Sequence, residues 1–163
     1  MYRIVTITLL LLFLVGCYAN KPIGDAGSST FDERLLGKWL WPEEGESQHI
    51  VLIVARFNEK EYLVGPEEKF ELKELLRVFT TKVGPDTFFN AQNLDNGDVE
   101  DRRYMFARYT FLDNDTVKLD IPGLDALPHE VASSEQLVEA LRDKRSQPGF
   151  YDKQLLIRRI KEK

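Results

Sequence analysis

Apolar positions follow two kinds of pattern along the chain. The first is a nearly unbroken apolar run from Ile4 to Val15, preceded by Arg3. A membrane-spanning helix needs roughly 20 such residues, so this run is short for that role. A basic start, a short apolar core and a small residue at its end are typical of a secretion signal. The pattern therefore predicts that residues 1–16 form a signal peptide.

The second pattern begins near Phe31, where short apolar segments alternate with turn residues, as in an antiparallel sheet. The first strand should place both of its tryptophans on one face. The next strand is apolar at successive positions, which predicts cover on both sides. The predicted strands are Gly37–Trp41, His49–Phe57, Glu61–Val64, Thr87–Gln92, Arg102–Leu112, Thr116–Ile121 and Gln154–Ile160.

The stretch Lys69–Val83 fits two structures. Its apolar residues alternate as in a strand, yet Leu72, Leu75, Leu76 and Phe79 also fit one face of a helix. The β-branched residues at its end and the neighbouring hairpins favour a strand. The choice between strand and helix stays open at this point.

A helix is predicted late in the chain, over Ser134–Lys144. Ser133 offers a hydroxyl cap, an acid or amide follows it, and apolar residues recur at helical spacing. The predicted fold is mainly β (α+β): an antiparallel meander of seven to eight strands with one late helix. Such a sheet removes its free edges by curling into a barrel or half-barrel.

The single cysteine, Cys17, lies at the end of the first apolar run. A lone cysteine excludes an intramolecular disulfide, a thiolate zinc cluster and Cys-x-x-Cys redox chemistry. The segment Leu14-Val15-Gly16-Cys17 resembles the lipobox of bacterial lipoproteins. The resemblance implies cleavage between Gly16 and Cys17, a diacylglycerol on the cysteine sulfur and often N-acylation. Two or three acyl chains would hold the protein firmly at a membrane.

Three segments follow from this interpretation. Residues 1–16 are the signal peptide, residues 17–30 are the lipid-bearing cysteine and a flexible tether, and residues 31–163 are one β-rich domain. Tyr18 is not the aspartate that resembles an inner-membrane retention signal. In a cell with two membranes, we therefore expect the protein to be located at the outer membrane. An ordinary signal with an incidental cysteine is the alternative.

Charge and histidine content narrow the function classes. The chain has 22 basic and 27 acidic side chains, a net charge of -5. Such a surface repels phosphate backbones, so we expect no nucleic-acid partner. A histidine-based metal centre would require both His49 and His129 together with carboxylates, so we expect no metal and no cofactor.

Two acidic loops are candidate calcium sites, and one serine–histidine group is a candidate catalytic site. The loop Asp95–Asp101 could supply calcium ligands, but the EF-hand spacing fails, which favours a solvated turn. Asp113–Asp115 is predicted to be a hairpin turn. Ser133, Ser134 and His129 lie close in sequence without a Gly-x-Ser-x-Gly motif, so helix capping explains the serines. We therefore expect no enzyme.

Aromatic residues and the basic tail have two interpretations each. The tail Arg158–Lys163 could touch anionic headgroups, although a solvated end is the expectation. Aromatic residues at strand spacing could line a cavity, although core packing is their more common role. They are Trp39, Trp41, Phe57, Tyr62, Phe88, Phe89, Tyr104, Phe106, Tyr109 and Phe111.

The segment Leu35-Leu36-Gly37-Lys38-Trp39 resembles the Gly-x-Trp opening strand of lipocalin-like barrels. A Tyr-x-Val hairpin, the Lys82–Asn90 step and a Ser-Ser-Glu-Gln-Leu helix follow in an order similar to a group of uncharacterised bacterial lipoproteins. This similarity would span most of residues 31–160. It implies a barrel and a pocket for an apolar ligand, and it carries over no binding residue.

The predicted function is a non-enzymatic envelope lipoprotein, held at the membrane through the lipid on Cys17, with a protein-binding or structural role. The alternative is a lipocalin-like carrier of a small apolar ligand. A packed barrel interior would favour the first function, and an open, apolar interior would favour the second.

Overall fold

The computed structural model describes residues 17–42, 49–71, 74–94 and 103–161. These residues form nine β-strands and one α-helix, together with short 3-10 turns. The strands are β1 (Tyr18–Ala19), β2 (Gly37–Pro42), β3 (His49–Arg56), β4 (Glu61–Pro66), β5 (Leu76–Val83), β6 (Asp86–Asn93), β7 (Tyr104–Phe111), β8 (Thr116–Pro122) and β9 (Tyr151–Arg159). The helix α1 spans Ser134–Lys144.

Strands β2 to β9 form a closed antiparallel barrel. Each strand pairs with its neighbour in sequence, and β9 pairs back onto β2. Closure leaves the ring without a free edge. The predicted fold class, a mainly β meander of seven to eight strands curled into a barrel or half-barrel with one late helix, is therefore confirmed. The barrel is closed and has eight strands. Within the described part of the chain, no helix has both the length and the apolarity to cross a membrane.

The ambiguous stretch resolves into two parts. Leu76–Val83 is strand β5, as the β-branched residues favoured, and Glu67–Lys69 is a single 3-10 turn. Residues 72 and 73 lie outside the described residues. Helix α1 has the predicted bounds, but its start is capped differently. The Ala132 backbone N–H donates to Gln136 Oε1 at 3.0 Å, and Ser133 makes no capping bond from its side chain.

One end of the barrel is closed around Trp39. The ring is 1% exposed, and its Nε1 donates to Leu35 O at 2.9 Å. The Arg159 guanidinium lies 4.3 Å from the ring centroid and donates to Leu36 O at 2.7 Å. Gly37 has a φ of +118°, and a Cβ there would lie 3.2 Å from Arg159 Nη1. The predicted solvated tail is thus wrong for Arg159, because its cation completes the barrel seam.

The barrel has a core inside and a second core outside. Phe89 on β6 points inward, whereas Phe88 points outward and is fully buried beneath Leu137 and Leu141 of α1. Strand β6 is therefore covered on both faces. Strand β3 is not covered in this way, since outward-facing residues such as Ile53 are only half-buried. The reason is that α1 packs against the opposite wall of the barrel.

Residues 17–30 also belong to this outer layer. Ile23 is fully buried, and its backbone N–H donates to Asn90 Oδ1 at 2.7 Å. The Thr80 backbone N–H donates to Ser29 Oγ at 3.1 Å. This packing contradicts the expectation of a flexible tether and moves the start of the packed unit from residue 31 to residue 17. The reason is that Cys17, Ala19 and Ile23 of this segment pack into the apolar outer core.

We predict that Trp39→Ala lowers the free energy of unfolding more than Trp41→Ala does. Both rings are buried, and truncating such a ring costs about 3–5 kcal/mol. Only Trp39 also carries the contacts of Leu35 and Arg159. Denaturant titration measures both variants, and Trp39→Phe isolates the indole N–H. Equal midpoints for the two alanine variants would contradict this account of the seam.

We further predict that a fragment comprising residues 31–163 is less stable than one comprising residues 20–163. Loss of the fully buried Ile23 alone should cost about 1.5–3 kcal/mol. Ile23→Ala in the longer fragment should reproduce part of this loss, whereas Lys21→Ala, at an exposed position, should not. Thermal unfolding compares the four proteins. Two fragments of the same stability would restore the tether interpretation.

Candidate functional site

Cys17 lies in the outer core. It has no exposed surface, its Sγ donates to Leu127 O at 3.9 Å, and its backbone N–H donates to Pro122 O at 3.3 Å. Strand β1 holds it there by pairing with β7 at two positions. Asn20 extends the attachment by exchanging two hydrogen bonds with the Val131 backbone, at 3.0 and 3.1 Å. Four separate interactions therefore fix the position of the sulfur.

Burial also sets the protonation state of the Cys17 thiol. Removal from water raises its pKa to about 11, and the hydrogen bond to Leu127 O opposes this shift without overcoming it. The thiolate is the nucleophilic form of cysteine. In this docked position the sulfur is a neutral, enclosed group, which is the opposite of an activated nucleophile.

Several predicted site residues lie outside the described residues. These are Gly16, the rest of the signal peptide at residues 1–16, and the acidic loop Asp95–Asp101. The second acidic segment is confirmed as a hairpin turn between β7 and β8, where the Asp115 backbone N–H donates to Asp113 Oδ1 at 2.8 Å. The described residues contain no group of three side chains suited to hold a metal ion.

His129 and the two serines do not assemble into a catalytic group. The His129 Nε2 atom lies 2.8 Å from Leu124 O, and its ring stacks on Tyr18 with the centroids 4.4 Å apart. Ser133 and Ser134 stand at the start of α1. The Nε2 atom of His129 is thus hydrogen-bonded to a backbone carbonyl and not to either serine hydroxyl.

The barrel interior contains a cavity of about 110 Å³. Ligand pockets in proteins typically measure about 300–1,000 Å³, and an apolar cavity of about 150 Å³ holds benzene. The side chains around it are almost entirely apolar and come from all eight barrel strands. The aromatic ones are Trp39, Trp41, Tyr62, Phe89 and Phe106. The interior is therefore packed apart from an apolar space somewhat smaller than a cavity that holds benzene.

The aromatic residues divide between three environments. Phe88 and Tyr104 pack in the outer core rather than around the cavity, and Phe57 is 49% exposed. Tyr109 and Phe111 pack partly buried among the inner residues. Strand spacing alone does not separate these groups, because both faces of β6 and β7 are covered.

A larger hollow of about 330 Å³ lies on the outside of the barrel, beneath residues 22–26. We call it the outer cleft; it is lined by Pro22, Gly24, Asp25, Ala26, Glu61, Arg77, Phe79, Gln92, Tyr104 and Ser134. Within it, Glu61 accepts two hydrogen bonds from Arg77, at 2.7 and 3.0 Å. Sequence reasoning missed this site. Polar residues are common at outward-facing strand positions. Nothing in the sequence indicates that residues 22–26 lie over them and enclose a cleft.

We predict that Cys17 reacts slowly with iodoacetamide in the folded protein lacking residues 1–16. A pKa of about 11, against 9.0 for a free thiol, leaves about one thiol in a hundred ionised at pH 9 instead of a half. The same difference stabilises the fold below pH 9 and is lost as pH rises from 9 to 11. Leu137→Ala, which loosens the outer core, should speed alkylation. Equal rates for folded and urea-unfolded protein would contradict the docked position.

No protein-family model, no curated protein and no solved structure matches this chain. The fold itself, an eight-stranded antiparallel barrel, is consistent with the lipocalin-like barrels that its opening strand resembles. Function must therefore be argued from the chain's own geometry, since a barrel alone does not specify an activity.

Proposed function

We propose that this chain is a lipid-anchored protein of the bacterial cell envelope, without enzymatic activity, whose barrel has a protein-binding or structural role. The anchor rests on the lipobox-like segment that ends at Cys17. The non-enzymatic role is supported by His129, whose ring nitrogen faces a backbone carbonyl.

The observation that carries the role of the barrel is its filled interior. A carrier needs a space that encloses most of its ligand, whereas the cavity here measures about 110 Å³. Trp39 and Trp41, both almost fully buried, occupy the volume that a ligand would need. The interior therefore serves stability, and contacts with other molecules fall to the outer surface.

The carrier function remains the second candidate because the cavity is apolar. Apolar cavities stay dry and accept small apolar molecules. The hydroxyl of Tyr62, which lines the cavity, accepts a hydrogen bond from the Asp32 backbone N–H and donates one to the Asp32 carbonyl. Such a carrier would be restricted to ligands no larger than benzene.

Lipid on Cys17 and full burial of its sulfur exclude each other. We infer that β1 leaves β7 in the lipid-bearing protein. This breaks the two-residue pairing, the bonds of Cys17 to Pro122 and Leu127, and the Asn20–Val131 exchange. Ile23 stays docked through Asn90 and becomes the point at which the chain leaves the barrel. Residues 17–22 would then span roughly 20 Å between membrane and domain.

The anchor is tested by Cys17→Ser in cells fed a radioactive fatty acid. The parent chain should be labelled, and the variant should lose the label and accumulate as an uncleaved precursor. Ala19→Ser, a matched change two residues away, should keep both labelling and processing. Label on the Cys17→Ser protein, or normal processing of it, would rule out the anchor.

A further inference from the structure

We propose that the outer cleft binds a neutral saccharide unit. The first observation is Gln92, which is 6% exposed and lines the cleft. Its amide has no hydrogen-bond partner among the residues that the structure describes. The amide atoms are not among the side-chain atoms fully buried without a partner, so they remain accessible from the cleft. An amide in this position is free to bond water or a ligand there.

The charges of the cleft are already compensated. The carboxylate of Glu61 is 4% exposed and forms a two-point ion pair with Arg77. Asn58 Nδ2 donates to the same carboxylate, and Asp25 Oδ1 accepts the Gly27 backbone N–H at 3.0 Å. An added phosphate or carboxylate would meet two carboxylates against one guanidinium. The cleft therefore favours a neutral ligand over an anion.

The groups left over share one chemical property. The Gln92 amide and the hydroxyls of Tyr104 and Ser134 can each donate and accept hydrogen bonds. Neither hydroxyl has a hydrogen-bond partner within the described ranges. Ligand hydroxyls, which also donate and accept, are their natural complement. Phe79, almost fully buried, forms an apolar part of the cleft wall beside them.

Register and size fit the same class of ligand. Arg77, Gln92 and Tyr104 are direct partners across β5, β6 and β7, so their side chains form one row on the outer wall. Ser134 at the start of α1 faces this row from the other side of the cleft. A hollow of about 330 Å³ lies at the lower end of the range for small-molecule sites and accommodates one or two sugar rings.

The test is titration of the full chain, in a detergent without sugar groups, with N-acetylglucosamine and with methyl β-D-glucoside. In ¹⁵N-glutamine-labelled protein, the side-chain NH₂ signals of Gln92 should shift saturably at millimolar concentrations of at least one sugar. Gln92→Leu should weaken binding at least about tenfold. It should not destabilise the fold, since it replaces an unpartnered amide by an apolar group of similar shape.

Two further variants make the result specific. Tyr104→Phe removes a single hydroxyl and should also weaken binding, whereas Gln147→Leu, at an exposed position away from the cleft, should bind like the parent. Acetate and methylammonium serve as charged probes. The proposal is overturned if neither sugar gives a saturable shift, if Gln92→Leu binds as tightly as the parent, or if only a charged probe binds. Sugar titration and fatty-acid labelling are separate measurements, so either proposal can fail while the other holds.

Discussion

The stacking of Arg159 on Trp39 holds the barrel closed. The seam between β2 and β9 contains only two paired positions, Trp39 with Arg159 and Leu40 with Arg158. Backbone pairing is therefore thin there, and side chains supply the rest. The Arg159 cation lies over the indole ring and donates to the backbone carbonyls of Arg34 and Leu36, just before β2. Such a cation–aromatic contact contributes about 0.5–2 kcal/mol, and charged hydrogen bonds add to it.

The two cores give the barrel two unlike walls. Strands β5 to β7 have α1 and residues 17–30 on their outer face, so Phe88 is as deeply buried as any residue inside. The wall formed by β2 and β3 has no comparable layer in the described part of the chain. The outer cleft exists because residues 22–26 cross the covered wall without filling it. The sulfur of Cys17 thus lies in the added layer, and the amide of Gln92 lies on the outer face of the barrel wall beneath it.

Local features of this fold could be predicted from the sequence. Alternating apolar residues and turn residues specify each strand, and the spacing in Ser134–Lys144 specifies the helix, because both signals depend on near neighbours. Docking of residues 17–30 could not be predicted in this way. Most side chains of this segment are small and polar, and Ile23 is one of few apolar ones. The groove that receives Ile23 is formed by residues distant in sequence. For the same reason the sequence predicts a solvated tail at Arg159 and contains no signal that distinguishes Gln92 from other polar strand residues.

The seam also determines the order in which the barrel can assemble. Every other pairing in the ring joins strands that are neighbours in sequence, whereas Arg159 donates to Leu36 across 123 residues. Closing so long a loop carries the largest entropy cost, so the hairpins form before the ring does. Contacts made last contribute little to the folding rate and mostly slow unfolding. Arg159 and Trp39 therefore govern the lifetime of the folded molecule rather than the speed at which it forms.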